Sequence, residues 1–388
     1  MDMSISEEQQ AIQDGVRKLC SRFDDGYWLE RDRTGGFPHD FHMAFAQAGY
    51  LGICMPVEYG GSGLGIVEAS LMMQAVAQSG AGASGASAIH MNIFGLNPVV
   101  RFGTEAQKQR MLPPLIAGKE KACFAVTEPN TGLNTTQLTL RAVKQGNAYV
   151  LNGKKVWIST AQVVEKMLIL ARTTPLDQVT HPTEGLSLFY TDFDRSCIEV
   201  HEIEKMGRKA VDSNELFIEN LRVPVEDRIG EEGKGFECIL HGMNPERILG
   251  AAEAVGLGRV ALERAAAYAK ERVVFGRPIG QNQGIQHPLA KAWAELEAAN
   301  LMVRHAAATY DAGLPCGHLA NAAKYLASEA GFAACEAAVL THGGFGYAKD
   351  FHVERYMREA MLYRIAPISQ QLILCFLAEK VFGLPKSY

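Results

Sequence analysis

The chain has 388 residues, of which 47% are hydrophobic and 21% are charged, and its formal net charge is −5. This composition is typical of soluble globular proteins, and the length exceeds what one hydrophobic core of ordinary size supports, so two or three domains are expected. The acidic balance and the lack of a Lys/Arg run give no support for nucleic-acid binding.

The eight cysteines are scattered along the chain and form no Cys-x-x-Cys pair. This spacing favours reduced thiols over disulfides or structural zinc, and it predicts no metal site. The first ten residues carry acidic side chains and no basic stretch followed by an apolar core, which argues against a secretory signal. No uninterrupted apolar run approaches the ~18 residues that span a bilayer. The sequence therefore predicts a cytoplasmic protein without a membrane-spanning segment.

Residues 1–120 have the pattern of helices separated by glycine-rich turns, and the first helix is expected to be capped by Ser4 or Ser6. The loop at residues 60–65 resembles a phosphate loop, but it lacks the Lys-Ser/Thr ending and a preceding strand of the Rossmann kind. A nucleotide-binding role for this loop is therefore not favoured. His90 lies after a run of small residues and is interpreted as a structural histidine.

From residue 121 to about 232 the pattern changes to short β-prone runs between turn sequences. This spacing predicts an antiparallel sandwich or barrel rather than alternating βαβ units. The predicted runs are residues 148–151, 155–158, 167–171, 186–190, 198–200 and 215–218.

Residues 233–388 return to helical patterning, and long helices with short connections favour a bundle. Small residues in the first of these helices, Gly250, Gly256 and Gly258, predict close helix packing. The predicted helices are residues 248–272, 290–309, 319–340 and 368–381. The fold class expected is therefore mainly α with a central β domain.

Residues 124–134 form a short apolar run that ends in a turn containing Pro129 and Gly132. The segment lies where the helical pattern gives way to the β pattern, and domain junctions are favoured places for cofactor sites. A structural joint is the simpler interpretation of such a segment alone, so the argument for chemistry depends on other parts of the chain.

Several motifs together resemble the acyl-CoA dehydrogenase family of FAD flavoproteins, in the order in which the family carries them. They are Thr127-Glu128-Pro129 with Gly132, the run Leu-Asn-Gly-Lys-Lys-Val-Trp-Ile-Ser at residues 151–159, residues 272–277 with Gln283, residues 343–347, and residues 353–355 with Arg358. The resemblance covers essentially the whole chain. It implies an N-terminal helical domain (1–120), a central β domain (121–232) and a C-terminal four-helix bundle (233–388).

The resemblance also implies a homotetramer that binds FAD between domains and across a subunit interface. The implied reaction is α,β-dehydrogenation of an acyl-CoA thioester to the trans-2-enoyl-CoA, with electrons passed to an electron-transferring flavoprotein. This chemistry requires a carboxylate in a dry pocket to remove the α-proton and donors near the thioester oxygen. The hydride chemistry is supplied by the flavin.

For the cofactor, the resemblance implies that backbone groups near Val126 and Thr127 bond the flavin ring and that Trp157 covers one face of it. Arg272 is expected to pair with the pyrophosphate of FAD in a neighbouring subunit, because a guanidinium suits phosphate oxygens. The complete set of residues that the resemblance assigns to the cofactor is Phe124, Val126, Thr127, Gly132, Leu133, Trp157, Ser159, Arg272, Phe275, Gln283, Gly344, Ser369 and Gln371.

The sequence departs from the family pattern at three positions. Leu133 stands where the family commonly has a serine that contacts the pyrophosphate, so that contact is expected from backbone amides or from residues 135–136. Leu340 replaces a glutamine that often precedes the double glycine. Pro367 occupies the position of the catalytic glutamate in many members, and proline cannot accept a proton.

A minority of the family, which includes the isovaleryl- and long-chain acyl-CoA dehydrogenases, takes the catalytic base from the first long helix of the C-terminal domain. That position matches Glu246, which is therefore the expected base. Asn244 and Arg247 flank it and are expected to hold acyl-CoA or the local polar network. Pro245 either begins a helix capped by Asn244 or kinks a helix that has already begun, and the sequence leaves both open.

Two alternatives to a dehydrogenase remain at this stage. One is an acyl-CoA oxidase or a flavin monooxygenase on the same fold. The other is a non-catalytic flavin-binding subunit, which the departures at Leu133, Leu340 and Pro367 suggest.

Overall fold

The computed structural model describes residues 5–387. The first seven helices form the N-terminal part of the molecule. They are α1 (Glu7–Cys20), α2 (Asp25–Thr34), α3 (His39–Gln47), α4 (Ile66–Val76), α5 (Gly82–Phe94), α6 (Asn97–Phe102) and α7 (Glu105–Ile116). Helix α1 begins after Ser6, whose hydroxyl accepts from the Gln9 N–H at 3.2 Å, as the capping pattern predicts. The other predicted cap, Ser4, lies outside the described residues.

The start of α4 shows why the loop at residues 60–65 needs no phosphate. The carboxylate of Asp311, from a helix 245 residues further along the chain, accepts from the backbone N–H groups of Ile66 and Val67 at 2.8 and 2.9 Å. An anion at a helix N-terminus is stabilised by the free N–H groups and the helix dipole. The protein supplies that anion itself and thereby ties α4 to the C-terminal bundle.

The central region is an eight-stranded sheet. Its strands are β1 (Ala122–Ala125), β2 (Arg141–Gln145), β3 (Ala148–Ser159), β4 (Lys166–Arg172), β5 (Leu186–Asp192), β6 (Ile198–Glu202), β7 (Ser213–Pro224) and β8 (Arg228–Ile229). The strand order is β6-β7-β3-β2-β4-β5-β8, and β1 pairs with β4. The runs predicted at 148–151 and 155–158 belong to the single strand β3. The sheet is mixed rather than purely antiparallel, because β1 runs parallel to β4.

The sheet separates two apolar cores, because successive side chains of a strand point to opposite faces. In β4, Leu168 and Leu170 pack with residues of α7 and with residues 236–243, which lie in the first helix after the sheet. Met167 and Ile169 lie on the other face and pack within the β region. The β region is thus joined to the helical regions through one of its two faces.

Five long helices follow: α8 (Gly235–Glu271), α9 (Gln283–Asp311), α10 (Gly317–His342), α11 (Val353–Ile365) and α12 (Gln370–Phe382). Helix α8 begins 13 residues before the predicted start at residue 248, and Pro245 lies in its interior. The structure therefore selects the second interpretation of Pro245, a helix that has already begun. Strands β9 (Val273–Val274) and β10 (Arg277–Pro278) form a small hairpin between α8 and α9.

Among residues 5–387, the segment Val353–Phe382 has the length and hydropathy of a membrane-crossing helix. Only 22% of its apolar 18-residue stretch is buried inside the protein. In the structure it is two helices, α11 and α12, separated at residues 366–369. This pattern alone is weak evidence for a membrane span, because apolar helices of soluble proteins have it too.

The glycines of α8 do not all serve helix packing. A Cβ added at Gly256 would lie 2.2 Å from the carbonyl oxygen of Gln74, and one at Gly258 would lie 3.2 Å from Gly331 Cα. These two positions require glycine because neighbouring helices approach so closely. Gly250 is also buried, yet an added Cβ would meet no atom within 4 Å. The prediction that Gly250 mediates close packing was wrong, because no atom of a neighbouring element lies within 4 Å of the position that its Cβ would take.

We expect Gly256→Ala to destabilise the protein by about 1–3 kcal/mol, since overpacking a close helix contact forces the backbones apart. Gly250→Ala is the matched control on the same helix, and it should leave stability unchanged or raise it slightly through better helix propensity. Thermal unfolding followed by circular dichroism compares the two variants with the parent. An equal loss of stability in both would contradict this account of α8.

Candidate active site

Glu246 follows Pro245 in the interior of α8. Proline has no N–H to donate to the preceding turn, so the helix lacks one backbone hydrogen bond just before Glu246. The Oε2 atom of Glu246 is buried and has no hydrogen-bond partner among the described residues. Burial raises the pKa of this carboxyl from 4.5 to about 7, although His90 and Arg247 act in the opposite direction. A carboxyl poised near neutrality is suited to accept a proton.

The side chains on either side of Glu246 form a small polar pair. The Arg247 guanidinium donates from Nη1 to Asn244 Oδ1 at 3.3 Å. Its Nε atom is buried and has no partner in the described part of the chain. Burial lowers the pKa of Arg247, and the nearby Glu246 partly offsets this. The structure thus brings Asn244, Glu246 and Arg247 together, as predicted from their sequence neighbourhood.

Lys324 is a charged group near Glu246 that the sequence analysis missed. It projects from α10, its Nζ donates to the Ile368 carbonyl oxygen at 2.7 Å, and its side chain is buried. Burial lowers its pKa to about 8, with further effects from Arg247 and Glu246. Lys324 therefore anchors the segment after Pro367 and also contributes positive charge near the carboxyl. In the sequence, Lys324 is noticeable only as a single lysine within an alanine-rich predicted helix.

His90 belongs to a second buried polar group, which the sequence analysis treated only as a structural histidine. His90 Nδ1 lies 2.5 Å from Glu253 Oε1, and the Tyr363 hydroxyl donates to Glu253 Oε2 at 3.0 Å. Burial lowers the pKa of His90, but the adjacent Glu253 outweighs it and the net shift is upward. Glu253 lies seven residues after Glu246, on nearly the same face of α8. This group is assembled from α5, α8 and α11, so sequence spacing does not reveal it.

The turn after β1 is fixed by a buried ion pair. The Lys155 ammonium donates to Glu128 Oε1 at 3.0 Å and to the Val126 carbonyl oxygen at 2.8 Å. The Glu128 carboxylate also accepts from the N–H and hydroxyl of Thr139 and from the N–H of Leu140. Burial raises the pKa of Glu128, and these partners reverse the shift so that the net pKa is lowered. The turn is thereby locked to β3 by a fully satisfied pair of charges.

Thr127 and Trp157 are brought together by the same arrangement. The Val156 N–H donates to the Thr127 carbonyl oxygen at 2.9 Å. Trp157 lies in an irregularity of the β3–β7 pairing, with a φ of 62°, and 59% of its surface is exposed. An exposed indole beside an ordered turn is an apolar surface on which an aromatic ring can stack.

The rest of residues 124–134 is consistent with a bound group. The Thr131 hydroxyl is buried without a partner among residues 5–387, and an added Cβ at Gly132 would meet nothing within 4 Å. Leu133 is 51% exposed, whereas Phe124 and Val126 pack into the core between α5, α7 and the sheet. These features fit a planar ligand held by the turn and by Trp157, and FAD satisfies that requirement.

The remaining predicted cofactor residues lie in two other places. The Arg272 guanidinium carbon is 5.6 Å from the centroid of the Phe345 ring, next to Gly344, and the Phe275 side chain is fully exposed. Gln283 is the first residue of α9. In the described residues this group makes no hydrogen bond or ring contact with Thr127 or Trp157. An exposed phenylalanine and arginine at the end of a helix are available to a second subunit.

Ser369 and Gln371 flank the start of α12. Ser369 caps this helix by accepting from the Leu372 N–H at 3.3 Å, so its oxygen already serves a structural role. Gln371 is exposed.

The chain matches three family profiles over most of its length. They are described as acyl-CoA dehydrogenase N-terminal domain at residues 6–119, middle domain at residues 123–221 and C-terminal domain at residues 233–367. The fold class expected from the sequence is confirmed by solved structures of this family. The chain resembles the butyryl-CoA dehydrogenase from Megasphaera elsdenii with a TM-score of 0.93 and 29% identity, over 98% of this chain and 100% of that one.

Two curated relatives show the sequence similarity. An acyl-CoA dehydrogenase of Mycobacterium tuberculosis is 36% identical over 389 residues, covering 99% of this chain and 98% of the relative. A subunit of the caffeyl-CoA reductase–Etf complex of Acetobacterium woodii is 33% identical, covering 90% of this chain and 93% of the relative. The chain therefore belongs to the acyl-CoA dehydrogenase family of flavoprotein oxidoreductases.

Proposed function

We propose that the chain catalyses the FAD-dependent α,β-dehydrogenation of an acyl-CoA thioester to the trans-2-enoyl-CoA, with Glu246 as the base. The observation that carries this proposal is the buried Oε2 atom of Glu246, which has no hydrogen-bond partner in the described residues and belongs to a carboxyl whose pKa is raised to about 7. It occupies the position from which a minority of the family takes its base, so Pro367 does not argue against catalysis. Family membership and the features of residues 124–134 support FAD as the cofactor.

Glu246 would accept the proton from the α-carbon of the acyl group. Its buried Oε2 atom has no partner among the described residues and is therefore free to accept this proton. Positive charge from His90, Arg247 and Lys324 partly offsets the effect of burial on the pKa of Glu246. Bound FAD supplies the acceptor for the hydride that leaves the β-carbon.

The residues expected to hold FAD have distinct tasks. The turn at Val126, Thr127 and Gly132, together with Ser159, would contact the ring, and Trp157 would cover one face and exclude water. Arg272 would pair with the pyrophosphate in a neighbouring subunit, because it is exposed and carries no carboxylate partner in the part of the chain described here. Sharing FAD between subunits requires an oligomer, and a homotetramer is the assembly proposed by analogy with the family.

The electron acceptor proposed is an electron-transferring flavoprotein in the cytoplasm. The similarity to a subunit of a reductase–Etf complex supports this partner. An oxidase or monooxygenase would instead react rapidly with oxygen, so peroxide formed on aerobic turnover at the rate of flavin reduction would favour that alternative. A purified protein that shows no visible flavin spectrum would favour the non-catalytic subunit.

Replacing the proposed base tests the mechanism directly. We expect Glu246→Gln to slow anaerobic bleaching of the flavin by acyl-CoA by on the order of 10²- to 10⁴-fold, because amide oxygen is not a useful base. The panel of substrates should include straight, branched and cyclic acyl groups. Glu237→Gln, on the exposed first turn of the same helix, is the matched control and should retain full activity. Normal bleaching by Glu246→Gln would remove Glu246 from the mechanism.

The pH dependence of flavin reduction provides a separate test. The free carboxylate is the active form, so a pKa of about 7 predicts that the rate of reduction rises with pH and levels off above neutrality. Below the pKa the rate should fall about tenfold per pH unit. The charged and titratable groups that face Glu246 are Arg247 and Glu253 on α8, His90 on α5 and Lys324 on α10. Stopped-flow absorbance in a single turnover measures the profile, and a rate independent of pH between 5 and 8 would contradict the assignment.

A further inference from the structure

Arg247 is a partly buried arginine whose guanidinium is almost unbonded. Its Nη1 atom donates to Asn244 Oδ1 at 3.3 Å, and this amide oxygen is a neutral acceptor. The Nε atom is buried without a partner among residues 5–387, and Nη2 makes no hydrogen bond with a described residue. A guanidinium has five N–H donors, so four of them lack a protein acceptor. An unsatisfied buried donor is costly, so these donors are suited to a ligand that supplies an acceptor.

Other arginines of the chain show how a structural guanidinium is satisfied. Arg172 donates to five backbone carbonyl oxygens at distances from 2.7 to 3.4 Å. Arg259, on the same helix as Arg247, pairs with the Glu297 carboxylate at 2.6 Å. In the part of the chain that the structure describes, Arg247 has neither a set of carbonyl acceptors nor a carboxylate bonded to it. A purely structural role leaves most of its donors unexplained.

The acid that acts on Arg247 is the proposed base, Glu246. The two opposite charges attract each other through space, but no hydrogen bond or ion pair between described atoms joins them. The Glu246 Oε2 atom likewise has no partner among residues 5–387. Both side chains remain partly accessible. A proton acceptor and a cationic donor therefore stand at consecutive positions of α8, and neither uses the other.

The proton removal proposed above requires both kinds of group. When a proton leaves the α-carbon of a thioester, the electron pair of the C–H bond moves towards the carbonyl oxygen, which is two bonds away. The proton acceptor must lie near the α-carbon, and a donor near the oxygen stabilises the charge that develops there. A cation in an enclosed site is well suited to this second task.

The other groups around Glu246 are less suited to bond this oxygen. The charged and titratable groups that act on the carboxyl, besides Arg247, are His90, Glu253 and Lys324. His90 is engaged with Glu253, and the Lys324 ammonium donates to a backbone carbonyl oxygen in the connection between α11 and α12 at 2.7 Å. Pro367, in the same connection, has no N–H to offer. Arg247 is the cation of this group that retains the most free donors.

We propose that the Arg247 guanidinium donates to the carbonyl oxygen of the acyl thioester and stabilises the negative charge that develops there. Arg247 is then a catalytic residue, and Asn244 is the positioning residue that orients it. This inference rests on the dehydrogenase function proposed above. The α C–H bond breaks, the proton passes to Glu246, and the electron pair forms an enolate whose oxygen is bonded by Arg247. The hydride that leaves the β-carbon for bound FAD converts the enolate into the neutral enoyl thioester.

Replacing Arg247 separates this role from simple binding of CoA. We expect Arg247→Met to lower kcat for flavin reduction by about 10²- to 10³-fold, as loss of an oxyanion donor does. KM should change little, because the full charge on the oxygen exists only as the proton leaves. Arg247→Lys should restore part of the rate through its positive charge. A rise in KM with an unchanged kcat would overturn the proposal and leave Arg247 a residue that only holds the substrate.

A 3-thia-acyl-CoA, in which sulfur replaces the β-methylene group, isolates the proton step. It has no β-hydrogen to lose as hydride, so the reaction stops at the enolate, and reprotonation in D2O places deuterium at the α-carbon. Mass spectrometry of the recovered thioester measures the rate of this exchange. We expect Arg247→Met to slow the exchange by about 10²-fold or more. Exchange at the rate of the parent would contradict the assignment.

Lys270→Gln is the matched control, because it removes one positive charge from the exposed last turn of the same helix. It should keep the kcat and the exchange rate of the parent. The flavin spectrum and circular dichroism show whether Arg247→Met is folded and loaded. If it is not, Arg247→Gln decides, since it keeps a polar side chain and removes the charge. It should slow the exchange by about tenfold or more, and an unchanged rate would overturn the role of Arg247.

Failure of this inference differs from failure of the proposed function. Normal bleaching and normal exchange in Arg247→Met would overturn the role of Arg247 and leave the dehydrogenase intact. If no acyl-CoA bleaches the flavin but the parent exchanges α-protons, the exchange rate of Arg247→Met still decides the role of the guanidinium. A parent that neither bleaches its flavin nor exchanges α-protons would overturn both proposals.

Discussion

The burial of one carboxylate oxygen, Glu246 Oε2, is the constraint on which the proposed site depends. Glu246 has an Oε2 atom that is buried and lacks a partner among the described residues, and its pKa is raised to about 7 by burial. Full isolation would raise the pKa further and leave the group protonated, whereas a close ion pair would lower it and remove its basicity. The pKa of Glu246 lies between these limits, because His90, Arg247 and Lys324 are near the carboxylate but none of them forms a direct salt bridge with it.

A second buried acid in the chain shows the contrast. Glu128 is held by Lys155 and by three further donors from Thr139 and Leu140, so its charge is fully satisfied. Breaking such a pair leaves an uncompensated charge and typically costs 3–5 kcal/mol. Glu128 is conformationally fixed and chemically inert, and this rigidity holds the turn beside Trp157 in place. Glu246, by contrast, has an Oε2 atom without a partner among the described residues, which is what the proposed role as a base requires.

Local patterns predicted much of this architecture. Helical and β patterning gave the order of the regions, and the family motifs identified Glu246 with its neighbours Asn244 and Arg247, which lie within one helical turn. The helix around Pro245 was ambiguous, because a proline at a helix start and one in a helix interior have the same sequence neighbours. Only the packing of residues 235–245 against the sheet distinguishes them.

The groups that the sequence did not reveal are formed by residues far apart in the chain. His90 and Glu253 are separated by 163 residues, and Glu253 and Tyr363 by 110. No periodicity links such pairs, and each residue alone has an ordinary structural interpretation. Gly250 was misinterpreted for a related reason, since a glycine that permits close packing and a glycine that leaves a cavity are identical in sequence. The atoms around each one decide between them.

A base on α8 connects the proposed chemistry to the packing of that helix. A glutamate on the segment near Pro367 would be oriented by a short connection between two helices. Glu246 is instead carried by the interior of α8, whose next two turns hold Gly250 and Glu253, so a single long helix sets the position of the carboxyl. That element is fixed against α4 and α10 by Gly256 and Gly258, where no side chain fits. A change in the packing of α8 should therefore alter the position and the pKa of the Glu246 carboxyl together, whereas a base on a loop could move without any change in the packing of this helix.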